Sequence, residues 1–92
     1  MSQEMRSTLQ SILNSISNPA YIEQNGIIIL HNDQFSQLDL DHEDILTEAQ
    51  KQSLYIKEKN IHNNMKICEL VENDLIKLEI SKQKLTKAMA LL

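Results

Sequence analysis

Apolar positions recur along this chain with two periods, and the places where the period changes mark its elements. Leu9, Ile12, Leu13 and Ile16 fall at i, i+3, i+4 and i+7, one stripe of an amphipathic helix. Ser2 or Ser7 can cap that helix. Asn18-Pro19 ends it, because the residue before a proline is pushed out of the α region. Ala20 to Gln24 reads as a short strand. Asn25 and Gly26 then accept the positive φ that a two-residue type I′ turn demands. Ile27 to Leu30 is a continuous apolar run, as expected of a strand covered on both faces. Asn32-Asp33 can cap a short helix in which Phe35 and Leu38 point the same way.

Between Asp39 and Gln52 the pattern is again helical. Asp41 is a candidate cap with His42, Glu43 and Asp44 in a first turn that favours negative charge, and Ile45, Leu46 and Ala49 form a brief apolar face. From Leu54 the period drops to two: Leu54, Ile56 and Glu58 alternate with Tyr55, Lys57 and Lys59 up to a turn at Asn63-Asn64. Met65 to Glu72 follows, with Cys68 and Leu70 on one face and Ile67 and Val71 on the other. Asn73-Asp74 reads as a tight turn and Leu75 to Ile80 as a further strand. Ser81 can cap a last helix striped by Leu85, Ala88, Met89 and Leu92. The predicted class is α+β: a five-stranded antiparallel sheet with short helices on one face and helices at both termini. Residues 1–18 supply the first helix, 20–80 the sheet core and 81–92 the closing helix of a single domain.

Composition narrows the function classes. At 92 residues, 41% of them hydrophobic, the chain can build one small core, and a partner surface would add to its modest stability. Eight asparagines and one glycine mean that asparagine does most of the turn work. Residues 1–53 carry a charge balance of −6 and residues 54–92 one of +2. A net acidic chain with a single arginine is poorly suited to gripping phosphate backbones, so no direct nucleic-acid contact is expected. No apolar run is long enough to span a membrane and the first ten residues lack a signal-peptide pattern. A lone cysteine fits a reducing, cytoplasmic setting.

Leu13 to Leu38 resembles the front of a PAS domain: a leading helix, the dipeptide Asn18-Pro19, a strand, a turn, a second strand, then Asn32-x-x-Phe35. Glu79-Ile80-Ser81 is similar to the Asp-Ile-Thr that such domains carry before a connecting helix. The resemblance implies a non-catalytic sensory or dimerisation module that regulates an attached or partner output, a kinase or a transcription regulator. It assigns Asn32 a structural capping role and Leu85, Met89 and Leu92 to a signal-connecting helix. The first helix is expected to form a homodimer interface through Leu9, Ile12, Leu13 and Ile16. The rival reading is a stand-alone adaptor or inhibitor that binds one protein partner and no small molecule.

Catalytic chemistry is weakly represented. His42-Glu43 is placed too early for a phosphoacceptor helix and reads as an exposed first turn. His31, His42 and His62 are scattered, and with few aromatics they suggest neither haem nor, beside one cysteine, a zinc set. Cys68 on a strand reads as a small core residue, with no base or oxyanion site beside it. An enzyme using His31 with Asp33 is the weakest alternative. No metal or cofactor is assigned, and whether a small molecule binds is left open.

Overall fold

The computed structural model describes residues 1–73. Its first helix, α1, runs Gln3–Ser15, capped by the Ser2 hydroxyl, which accepts from the Met5 amide at 3.1 Å. The strands β1 (Ala20–Gln24) and β2 (Ile27–His31) follow, then α2 (Asp33–Gln37) and a single 3₁₀ turn at His42–Asp44. Next come α3 (Ile45–Lys51), β3 (Leu54–Asn60) and β4 (Met65–Glu72). Both hairpins turn on left-handed pairs: Asn25 and Gly26 have φ of 52° and 82°, Asn63 and Asn64 of 56° and 59°. These mirror-type turns suit the right-handed twist of the strands they join. With glycine so scarce, α2 and α3 also end on non-glycine residues in that region, Asp39 at φ 51° and Ser53 at φ 59°.

The four described strands form one antiparallel sheet in the order β2-β1-β4-β3. Ile22 pairs with Ile67 of β4 and Leu30 of β2, and a bulge after Ile22 twists the outer strand. Of the five strands expected, the one assigned to Leu75–Ile80 lies outside the described residues, as do Leu85, Met89 and Leu92. Among the described residues the sheet edges are β2 and β3, since β1 and β4 each have a neighbour on both sides. Lys57, Glu58 and Lys59 place charge on the β3 edge, a common guard against stray pairing.

Each sheet face has its own core. Tyr21, Cys68 and Leu70 project to one face and pack with Phe35, Leu40 and Ala49 from the middle helices. Ala20, Ile22, Leu30 and Met65 project to the other, where Leu13 of α1 completes the cluster. The sheet is thus covered on its inner face by α2 and α3, as the sequence pattern requires, and on part of its outer face by α1. No helix among the described residues is long and apolar enough to cross a membrane.

Candidate functional site

Asn32 is the structural centre of the molecule. It is 1% exposed, and its side chain makes five hydrogen bonds. The Oδ1 atom accepts from the Ala20 and Phe35 amides, both at 3.0 Å. The Nδ2 group donates to the carbonyls of Leu13, Ile16 and Asn18 at 3.2, 3.3 and 2.9 Å. Its backbone amide also donates to the Ala20 carbonyl at 3.0 Å. One side chain therefore caps α2, starts β1 and ties down the last carbonyls of α1. The capping role expected of it is present, but four of its partners belong to elements that local sequence does not associate with a cap. Asn32 joins the inner-face helix to the outer-face helix through the edge of the sheet.

That anchoring fixes which way α1 faces. Leu13 is fully buried, Leu9 and Ile16 are half-buried, and Ile12 is 45% exposed. Leu13 is therefore not an interface residue: its surface is spent on Ile22, Leu30 and Met65 of its own chain. At about 100° per residue, Ile12 and Met5 share a second stripe roughly a quarter turn or more from Leu13, with Leu9 and Ile16 between the two. On the opposite flank Gln10 donates to the His31 carbonyl at 3.0 Å, so that side of α1 faces β2. The apolar flank is turned the other way, and its Ile16 end lies beside β3 and β4. Here the outer face is open, floored by Tyr55, Ile67 and Val71, with Lys57, Lys59 and Glu69 around them. A hollow of about 240 Å³ lies between Ile16 and Lys57, Glu58, Lys59, Ile67 and Glu69. Together α1 and β3–β4 make a trough with a helical wall and a sheet floor. Asn18 holds its upper end by donating to Glu69 at 2.9 Å.

A second, half-open depression of about 430 Å³ lies at the end of the sheet. Pro19, Leu38, Leu54, Leu70 and Val71 form its apolar lining, and Asn18 and Glu72 stand at it as polar groups. Its size is within the range of small-molecule sites.

The remaining candidate residues fall into place singly. Cys68 is buried opposite Tyr21 on neighbouring strands, a core residue as its sequence context suggested. Burial raises the Cys68 thiol above its ordinary value, with Glu58 and Glu23 adding to it against a lowering hydrogen bond from Tyr21. Burial likewise raises Tyr21, reinforced by Cys68. Both groups are thus held neutral, and an unionised buried thiol is a poor nucleophile. The unfolded chain ionises these groups first as pH rises. Their contribution to stability is therefore complete below about pH 9, the ordinary thiol value, and is lost above it. The urea midpoint should fall between about pH 9 and about pH 11. Cys68→Ala should delay the onset of that fall, and a flat profile in both proteins would contradict the assignment.

His62 sits in the β3–β4 turn, where its carbonyl accepts from Met65 at 3.1 Å. His31 and His42 meet around Phe35, which sequence separation did not suggest. Each of their ring centroids is 5.3 Å from that of Phe35. Among the described residues no three His, Cys, Asp or Glu side chains converge as a metal site. Comparisons with protein-family models, curated proteins and solved structures find no match for this chain.

Proposed function

We propose that this chain is a PAS-like, non-catalytic sensory and dimerisation module that controls an attached or partner signalling output. The observation that carries the reading is the trough: α1 is pinned to the domain by one buried stripe and leaves a second apolar stripe bare beside an open sheet face. A second copy offers the complement, since its own Met5 and Ile12 stripe can lie along the first while covering Tyr55, Ile67 and Val71. The contact is self-complementary about a two-fold axis, the usual form of a homodimer. It covers apolar surface that so small a domain cannot cover alone.

Asn32 supplies the route by which such a dimer is regulated. A displacement of α2 at the inner face pulls on the same side chain that holds the carbonyls of Leu13 and Ile16. Occupation of the sheet-end cleft, or contact with an output domain, then shifts α1 and with it the dimer contact, provided the ligand favours one arrangement over the other.

Light scattering tests the assembly. The wild-type chain should show twice the monomer mass at micromolar concentration, and Met5→Glu with Ile12→Glu should reduce it to the monomer with unchanged circular dichroism. A wild-type monomer at every concentration would defeat the homodimer. The open face with Tyr55 flanked by Lys57 and Lys59 also suits an adaptor that docks one acidic, amphipathic helix of another protein. That reading takes over if the monomer captures such a partner and Ile12→Glu abolishes the capture.

A further inference from the structure

His31 ends β2 and His42 opens the 3₁₀ turn, yet their ring centroids lie 6.3 Å apart and nearly edge-on, at 74°. Both side chains are exposed, and the buried Phe35 ring supports them from below. The His31 Nδ1 is 3.2 Å from the Asn32 carbonyl oxygen and 3.1 Å from the Ser36 hydroxyl. In the tautomer whose Nδ1–H donates to that carbonyl, Nε2 keeps a lone pair. This is how ligating histidines are held: the far nitrogen donates to a backbone carbonyl and fixes the ring.

The surrounding charge favours a cation. From Ser7 to Gln50 the sequence contains no lysine or arginine, while Asp33, Asp39, Asp41, Glu43 and Asp44 flank the two histidines and are all exposed. Two imidazoles sharing one tetrahedral ion at ordinary bond lengths have centroids about 5 Å apart. The observed separation thus needs a closure of about 1 Å, within reach of rotation by two exposed side chains. We propose that His31 and His42 form a two-imidazole site for a borderline divalent transition-metal ion such as Zn²⁺. The other coordination positions go to water, so the ion is exchangeable and joins the end of β2 to the segment after α2. His31 pairs with Tyr21 of the inner face, whereas the trough is on the outer face, so failure of this site would leave the assembly reading intact.

Titration of the whole chain with Zn²⁺ and separately with Ni²⁺, followed by calorimetry and by the histidine ring proton resonances, tests the site. Saturable one-to-one binding is expected, with the His31 and His42 resonances moving together and those of His62 unmoved. His31→Gln and His42→Gln should each weaken it about tenfold or more, and His62→Gln should leave it unchanged. Ser36→Ala, which keeps both ligands, should weaken it by a smaller factor. Mg²⁺ should not compete. Absent saturation, binding that survives the double His31 and His42 replacement, dependence on His62, or equal affinity for Mg²⁺ would each overturn the proposal.

Discussion

Replacing Asn32 with aspartate is expected to remove about 4 kcal/mol of folding stability near neutral pH, with little change in side-chain volume. The Nδ2 group faces the carbonyl oxygens of Leu13, Ile16 and Asn18, and an aspartate would set a negative oxygen against all three. Three acceptors would lose their donor and a negative charge would be buried among them. Domains of this kind have only about 5–15 kcal/mol in total, so the substitution puts the fold close to its midpoint. The sign of its pH dependence follows. The buried carboxyl should titrate well above the usual range, so the variant regains stability as pH falls, when the protonated acid offers one O–H donor. Asn32→Ala should cost about 3 kcal/mol with no such recovery, since the Ala20 and Phe35 amides also lose their acceptor. Urea unfolding at neutral and acidic pH measures both. A loss under about 1 kcal/mol would mean that water replaces the side chain and that α1 does not depend on it.

The second large effect separates two neighbours on one helix. Leu13→Ala should destabilise the domain by about 3 kcal/mol, because the cavity left between Ile22, Leu30 and Met65 is bounded by sheet and helix backbone that cannot collapse onto it. Ile12→Ala, one residue away, should stay within about 0.5 kcal/mol when measured on the monomer. Association should respond the other way, with Ile12→Ala weakening the dimer and leaving unfolding of the monomer untouched. Denaturation at two protein concentrations distinguishes these outcomes, since only an assembled state makes the midpoint concentration-dependent. Equal destabilisation by both substitutions would show that α1 packs in another rotation.

Most of the element order was legible in the sequence. The Asn25-Gly26 and Asn63-Asn64 turns, the Asn32 and Asp41 caps, the stop before Pro19 and the change of period at Leu54 are all local features, and each has its counterpart in the described chain. The division of Met65–Glu72 into a Cys68 and Leu70 face and an Ile67 and Val71 face follows from strand alternation alone. The role of α1 was less legible. A stripe of Leu9, Ile12, Leu13 and Ile16 states that one side is apolar, and it cannot state how much of that side the chain itself covers. The stripe proves wider than a single contact, and Met5 extends it on the exposed flank. The fifth strand and the Leu85, Met89 and Leu92 helix fall beyond the described residues.

The reach of Asn32 was not visible either. An N-cap asparagine is recognised from its distance to the following helix, whereas its bonds to Leu13, Ile16 and Asn18 span 14 to 19 residues. The meeting of His31 with His42 has the same origin, for it depends on where the loop after α2 carries the chain.

By itself the amino-acid order determined the helices, strands, caps and tight turns, because backbone conformation and side-chain period are decided over a few residues. Tertiary structure alone decided the strand order, which apolar flank of α1 is core and which is surface, and which distant polar groups share a site. These depend on contacts between segments far apart in the chain, where burial and hydrogen-bond satisfaction over the whole molecule select one arrangement among several that the local pattern permits.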